Sequence, residues 1–176
     1  DSWKYLRIVP TKGVRVLSAQ EPIVNEKLEL PSGKRILVFE THSDDAAIFT
    51  ADLLSKLKQA GNQIKIVNFI SCHLAVGGEL SVEAKKQIRD DEDRKFSKEI
   101  GADIQCLRLE FPYRDFEAKT KENGFMDKVS SRFGRPQSED FDKIAKVLAE
   151  NKPDILLLPH PFDHHQMHHD VSNLGL

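Results

Sequence analysis

Two short stretches of this chain concentrate the residue types that bind metal ions and move protons. The first is Thr41-His42-Ser43-Asp44-Asp45. One His and two carboxylates supply the borderline nitrogen and oxygen ligands that a divalent ion takes. Adjacent Asp44 and Asp45 point in different directions, so one can bind a metal while the other faces a bound water. Ser and Asp ahead of a helix also serve as ordinary caps, and taken alone the cluster reads more simply that way. The second stretch, His160-Pro161-Phe162-Asp163-His164-His165-Gln166-Met167-His168-His169-Asp170, holds five His and two Asp in 11 residues. His165 and His168 are three apart and converge on one centre if the segment is a helical turn. A purification tag would be an uninterrupted His run, and a solvated loop would not need this density, so metal or acid–base chemistry is the better reading.

The surrounding elements decide whether the two stretches can meet. Ile36–Phe39 and Ile155–Leu158 are short continuous apolar runs of the kind buried on both faces of a sheet, and each leads directly into one cluster. Ile64–Ile70 and Ile104–Leu109 read as two further strands. Between them lie three helical patterns. Residues 46–60 carry Ala47, Ala51, Leu54 and Leu57 at helical spacing, with Gly61 at the C-terminal cap. Residues 82–100 place Ala84, Ile88, Phe96 and Ile100 on one stripe. A third helix opens at Ser138, with Glu139 and Asp140 in its first turn and Phe141, Ile144, Ala145 and Leu148 inward. Such alternation makes a mostly parallel sheet with helices on both faces, and ligands bind beyond the C-terminal strand ends. Both clusters stand at such ends, which predicts a His/Asp/His site with an open coordination position. A site of that kind lowers the pKa of a bound water to about 7. A neighbouring carboxylate takes the proton, and a His donates one to the leaving group.

Composition narrows the alternatives. The 176 residues suit one domain, with 39% apolar and 31% charged residues. Twenty-six Lys and Arg against 28 Asp and Glu leave a net charge of −2, which gives no basic field suited to nucleic acid. No apolar run approaches the ~20 residues of a membrane span. Cys72 and Cys106 make no disulfide framework and no CxxC motif. Asp1 reads as a processed or trimmed start, so a targeting signal would be invisible, and cytoplasmic is the working expectation. Oligomeric state is not legible.

Residues 35–45, Arg35-Ile36-Leu37-Val38-Phe39-Glu40-Thr41-His42-Ser43-Asp44-Asp45, resemble the PHPDDE-type signature of the LmbE/PIG-L family of zinc-dependent N-acetylglucosaminyl deacetylases. His165-Gln166-Met167-His168 is similar to that family's HPDH or HxxH motif, and Arg89-Asp90-Asp91-Glu92 followed by Glu99-Ile100-Gly101 resembles its RxxE…LG helix. Asp115 falls where the family has an Asp after its next strand. The match runs in order from about Arg35 to Val171.

The resemblance implies a Rossmann-like α/β fold, Zn²⁺ (or another divalent metal) held by His42, Asp45 and His168, and Asp44 as general base. It further implies that His165 steadies the tetrahedral intermediate or protonates the leaving amine, and that Arg89 and Asp115 hold a small N-acetylated sugar or sugar conjugate. Departures are visible. Thr41 and Ser43 replace two Pro, Ala46 replaces the final acid of PHPDDE, and Met167 replaces an Asp that could orient a ligand. His164 or His169 becomes the ligand if the register shifts. Glu92 lies on the stripe of Ile88 and Phe96, where it either faces solvent or supports the site. Residues 1–34, with β-rich runs at Tyr5–Val9 and Val14–Leu17, read as a β-hairpin extension or a linker from an upstream domain. Residues 35–176 read as the deacetylase-like domain, cut short at its C-terminus. The competing readings are a non-catalytic sugar- or metal-binding relative of the same fold and, less well matched in spacing, a receiver domain whose acidic pair holds Mg²⁺.

Overall fold

The computed structural model describes residues 30–71, 73–110, 136–159 and 166–174, together with the backbone of residues 5–7 and 15–17. The chain divides into two compact units, Asp1–Leu30 and Pro31–Leu176. In the first, β1 (Tyr5–Arg7) and β2 (Arg15–Leu17) pair antiparallel, with Tyr5 opposite Leu17, as their two β-rich runs lead one to expect.

The second unit is built on β3 (Arg35–His42), β4 (Gln63–Ile70), β5 (Asp103–Cys106) and β6 (Ile155–Leu157). They lie in the order β5-β4-β3-β6, and every pairing is parallel. Among the described residues the helices are α1 (Asp45–Phe49), α2 (Ala51–Gln59), α3 (Val82–Ile100), α4 (Ser138–Asn151) and α5 (Gln166–Leu174), with a 3₁₀ turn at His73–Ala75. The chain steps outward from β3 through β4 to β5, then returns with β6 on the other side of β3. That reversal is a topological switch point, where open α/β sheets bind ligands. The α/β class and its parallel sheet are as the alternating pattern predicts.

Parallel strands need cover on both faces. Leu37 and Phe39 of β3 and Val67 and Phe69 of β4 join Ile144, Val147, Met167, Val171 and Leu174 of α4 and α5 in one core. Within it the rings of Phe39 and Phe69 meet edge to face at 4.9 Å. Pleating sends Ile36, Val38, Ile64 and Ile66 to the opposite face, also fully covered. Leu54 and Leu57 of α2, which packs against β4, are buried there.

Several local expectations change. The first strand extends through His42 rather than stopping at Phe39, because Glu40 and His42 still pair with Asn68 and Ile70. The helix expected over 46–60 breaks at Thr50, whose hydroxyl donates to the Ala46 carbonyl at 2.9 Å and whose own carbonyl starts α2. The third strand ends at Cys106, since Arg108 takes a left-handed φ of 50°. Leu107 and Leu109 nevertheless still donate to the carbonyls of Asn68 and Phe69. On α4, Gln137 and Asp140 form the capping box, and Val147 is buried where Phe141 and Ala145 were expected.

The largest difference is on α3. Its ends agree with the sequence: Ser81 accepts from the Ala84 N–H, and Gly101 closes the helix at φ 69°. Its buried face agrees only in part, for Ala84, Phe96 and Ile100 are half-buried. Ile88 is 37% exposed, while Asp90, Asp93 and Ser97 are buried. The sheet opposite presents Glu40, Asn68 and Cys106 in adjacent register, so a polar helix stripe meets a polar strand row.

Candidate metal centre

His42 is the last residue of β3, Asp45 the first of α1 and His168 the third of α5. Backbone order alone brings the first two together: the strand ends, the chain turns once, and the Asp45 carboxylate accepts from the His42 backbone N–H at 2.9 Å. His168 arrives from 126 residues away. Its neighbours Met167 and Val171 are buried in the core, and they fix the face of α5 that carries it.

The three donor atoms form a small triangle. His42 Nδ1 lies 3.5 Å from Asp45 Oδ2, His168 Nε2 lies 3.4 Å from the same oxygen, and the two nitrogens are 3.2 Å apart. Zinc bonds of about 2.0–2.1 Å at tetrahedral angles give donor–donor edges of about 3.3–3.4 Å. The triangle therefore matches one face of a tetrahedral shell, and its two imidazoles and one carboxylate suit zinc or a similar borderline ion. His42 and His168 are buried and Asp45 is half-buried. Burial works to raise the Asp45 carboxyl, but the hydrogen bonds from His42 and the positive character of His42 and His168 outweigh it. The carboxylate is held below its ordinary range, as a ligand anion should be.

Asp44 points elsewhere. Its side chain is half exposed, and its Oδ2 lies 3.2 Å from Arg89 Nη2. Arg89 in turn donates to Glu92 Oε2 at 2.8 Å. Arg89 thus reaches Asp44 from α3, while Glu92 is half exposed to solvent and meets the site only through Arg89. His165, His164 and Asp115 lie outside the described residues. His169 and Asp170 are half-buried on α5, and neither belongs to the triangle.

Behind the triangle is a buried polar layer that sequence reasoning missed. Glu40 is 3% exposed and accepts from Asn68 Nδ2 and from the Ala46 N–H, each at 3.0 Å. Burial pushes its carboxyl up to about 7, against the pull of those two donors. Asp93, 2% exposed, is pushed up to about 9 by burial and by the neighbouring charge of Glu40. Burial beside Asp90 and Asp93 raises the Cys106 thiol to about 12, so it is an inert, neutral neighbour. Asp90 is held by Arg108, whose Nη2 and Nε reach it at 2.6 and 2.8 Å. The signals were present in the sequence. Glu40 is a lone charge ending an apolar run, and Asp90, Asp93 and Ser97 share one helical stripe, but such a stripe ordinarily faces solvent.

The parallel sheet that carries this donor set is a fold shared with known proteins. The PIG-L family, described as GlcNAc-PI de-N-acetylase, matches residues 37–176, and the chain belongs to it. Among solved structures, the chain resembles the N,N'-diacetylchitobiose deacetylase of Pyrococcus horikoshii at 24% identity and a TM-score of 0.61, covering 81% of this chain and 48% of that one. It resembles the 4-carboxy-2-hydroxymuconate hydratase of Pseudomonas putida at 16% identity and a TM-score of 0.62, covering 80% and 53%. A zinc-inhibited form of a teicoplanin deacetylase matches at 17% identity and a TM-score of 0.54, covering 80% and 61%. At these identities the likeness establishes the fold. The chain spans about half the length of the solved structures it matches first. No curated protein matches it at a significant level. Among the described residues, no helix is long and apolar enough to cross a membrane.

Proposed function

We propose that this chain carries a metal-dependent hydrolase site that removes an N-acetyl group from an amino-sugar derivative. The observation that carries the reading is the triangle of His42, Asp45 and His168, with edges of 3.2–3.5 Å, beside an Asp44 carboxylate that is not part of it. In this reading those three residues hold Zn²⁺ or a similar ion. When bound, the ion supplies Lewis acidity toward the acetyl carbonyl and lowers the pKa of a coordinated water. Asp44 takes the proton of the attacking water, its carboxylate oriented by the Arg89 guanidinium 3.2 Å away. His165 donates a proton to the departing amine, and Arg89 and Asp115 hold the sugar. Residues 35–176 are the unit that carries this chemistry, and residues 1–34 an extension from it. Family membership supports an acetyl-sugar substrate; the hydratase neighbour shows that the fold alone does not dictate the reaction.

The test joins metal content with acetate release from a panel of N-acetylglucosamine derivatives. The wild-type chain and Asp44→Asn are expected to hold about one zinc each, His168→Ala none, and only the wild type to release acetate. Undiminished turnover in Asp44→Asn would remove Asp44 as the base. A zinc-loaded wild type that releases acetate from none of the panel would favour a binding relative of the family.

A further inference from the structure

The final acid of the PHPDDE-type signature is missing here, since Ala46 stands in its place. The structure nevertheless puts a carboxylate against the backbone of residue 46. Oε2 of Glu40 accepts from the Ala46 N–H at 3.0 Å, at a fully buried position. We infer that Glu40 is a positioning residue for the metal centre, replacing from the strand the carboxylate that the helix has lost. The inference rests on the metal-site reading above and concerns what holds Asp45 in place.

Three observations converge on it. The Ala46 N–H lies in the first turn of α1, the helix that begins with the ligand Asp45, and such donors have no partner within the helix. The residue that would ordinarily cap that helix, Asp44, makes no side-chain cap bond and is turned toward Arg89 instead. Glu40 therefore does the capping, and this leaves Asp44 available at the mouth of the site. Lastly, Glu40 is itself fixed: Oε1 accepts from Asn68 Nδ2 on the adjoining strand at 3.0 Å. The carboxylate thus ties the ends of β3 and β4 to the turn that carries two of the three donors. Supports of this kind orient metal ligands and typically contribute about 10–100-fold to metal affinity.

Co²⁺ binding by titration calorimetry tests the idea, with urea unfolding of every variant measured alongside. Glu40→Ala is expected to keep its fold and bind Co²⁺ about 10–100-fold more weakly than wild type. Glu40→Ala/Ala46→Glu returns the acid to the helix, and most of the lost affinity is expected to come back. Glu40→Gln keeps one acceptor oxygen. Its amide can be met by Asn68 Oδ1, which has no hydrogen-bond partner among the described residues, so affinity should fall between the two. Unchanged affinity in Glu40→Ala overturns the inference. So does a double variant that binds no better than Glu40→Ala, or that stays unfolded where Glu40→Ala is unfolded. A folded wild type that takes up no Co²⁺ overturns the metal-site reading, and the inference with it. That failure is distinguishable, because it appears before any substitution is made.

Discussion

The buried carboxyl of Asp93 makes stability depend on pH in a direction opposite to that of most surface acids. Asp93 is 2% exposed, and burial beside Glu40 raises its carboxyl to about 9. In the unfolded chain it titrates near the ordinary value of about 4. Between those two values the folded protein holds a proton that the unfolded protein has lost. A raised folded-state pKa means that this contribution to stability is fully present below the unfolded pKa and is lost as pH rises through the folded one. The slope for one such proton is about −1.4 kcal/mol per pH unit, or a loss of about 4 kcal/mol between pH 5 and pH 8. Asp93→Asn keeps the shape of the side chain and cannot ionise, so it should remove that one-proton slope. Urea unfolding at pH 5, 6, 7 and 8 measures it directly. The wild type is expected to weaken steadily over this range and Asp93→Asn to weaken less by about 1.4 kcal/mol per unit, overtaking the wild type at the alkaline end. Parallel curves for the two proteins would refute the reasoning, because they would mean that Asp93 is already ionised in the folded state.

Other substitutions probe the frame around the site. Arg89→Met removes the group that holds Asp44 and should lower kcat for acetate release at least about tenfold, by about 1.4 kcal/mol or more in the barrier. Metal content should be unchanged, and loss of metal would show that Arg89 supports the ligands instead. Leu54→Ala empties a fully buried position under α2 and is expected to cost about 2–5 kcal/mol in urea unfolding, whereas Ile48→Ala, at an exposed position on α1, should cost far less. Gly101→Ala forces an L side chain into the left-handed cap of α3 at φ 69° and should cost about 1–2 kcal/mol, seen as a lower Tm. Its Cβ would meet only the flexible end of Lys58, so backbone strain rather than a clash sets the cost.

The architecture and the outline of the site are legible in local sequence pattern. Apolar runs at 36–39, 64–70 and 155–158 read as buried parallel strands, and the helical pattern over 82–100 gave α3 its bounds. The spacing of His42 and Asp45 reflects local geometry, one turn after a strand, and is therefore readable in order along the chain. Tertiary structure decided what no local pattern encodes. The approach of His168 to within 3.4 Å of Asp45 depends on β6 pairing beside β3 across 119 residues of chain, as the register of Ile36 with Ile155 and Val38 with Leu157 records. The inward face of α3 was misread for a related reason. Helical periodicity says which residues share a face, but which face is buried depends on the partner. Here that partner is a polar row of Glu40, Asn68 and Cys106, so Asp93 is covered and Ile88 is turned partly to solvent. A lone Glu at the end of an apolar strand looks like the strand's end in sequence. Only the folded chain shows its carboxylate against the Ala46 N–H in the first turn of α1.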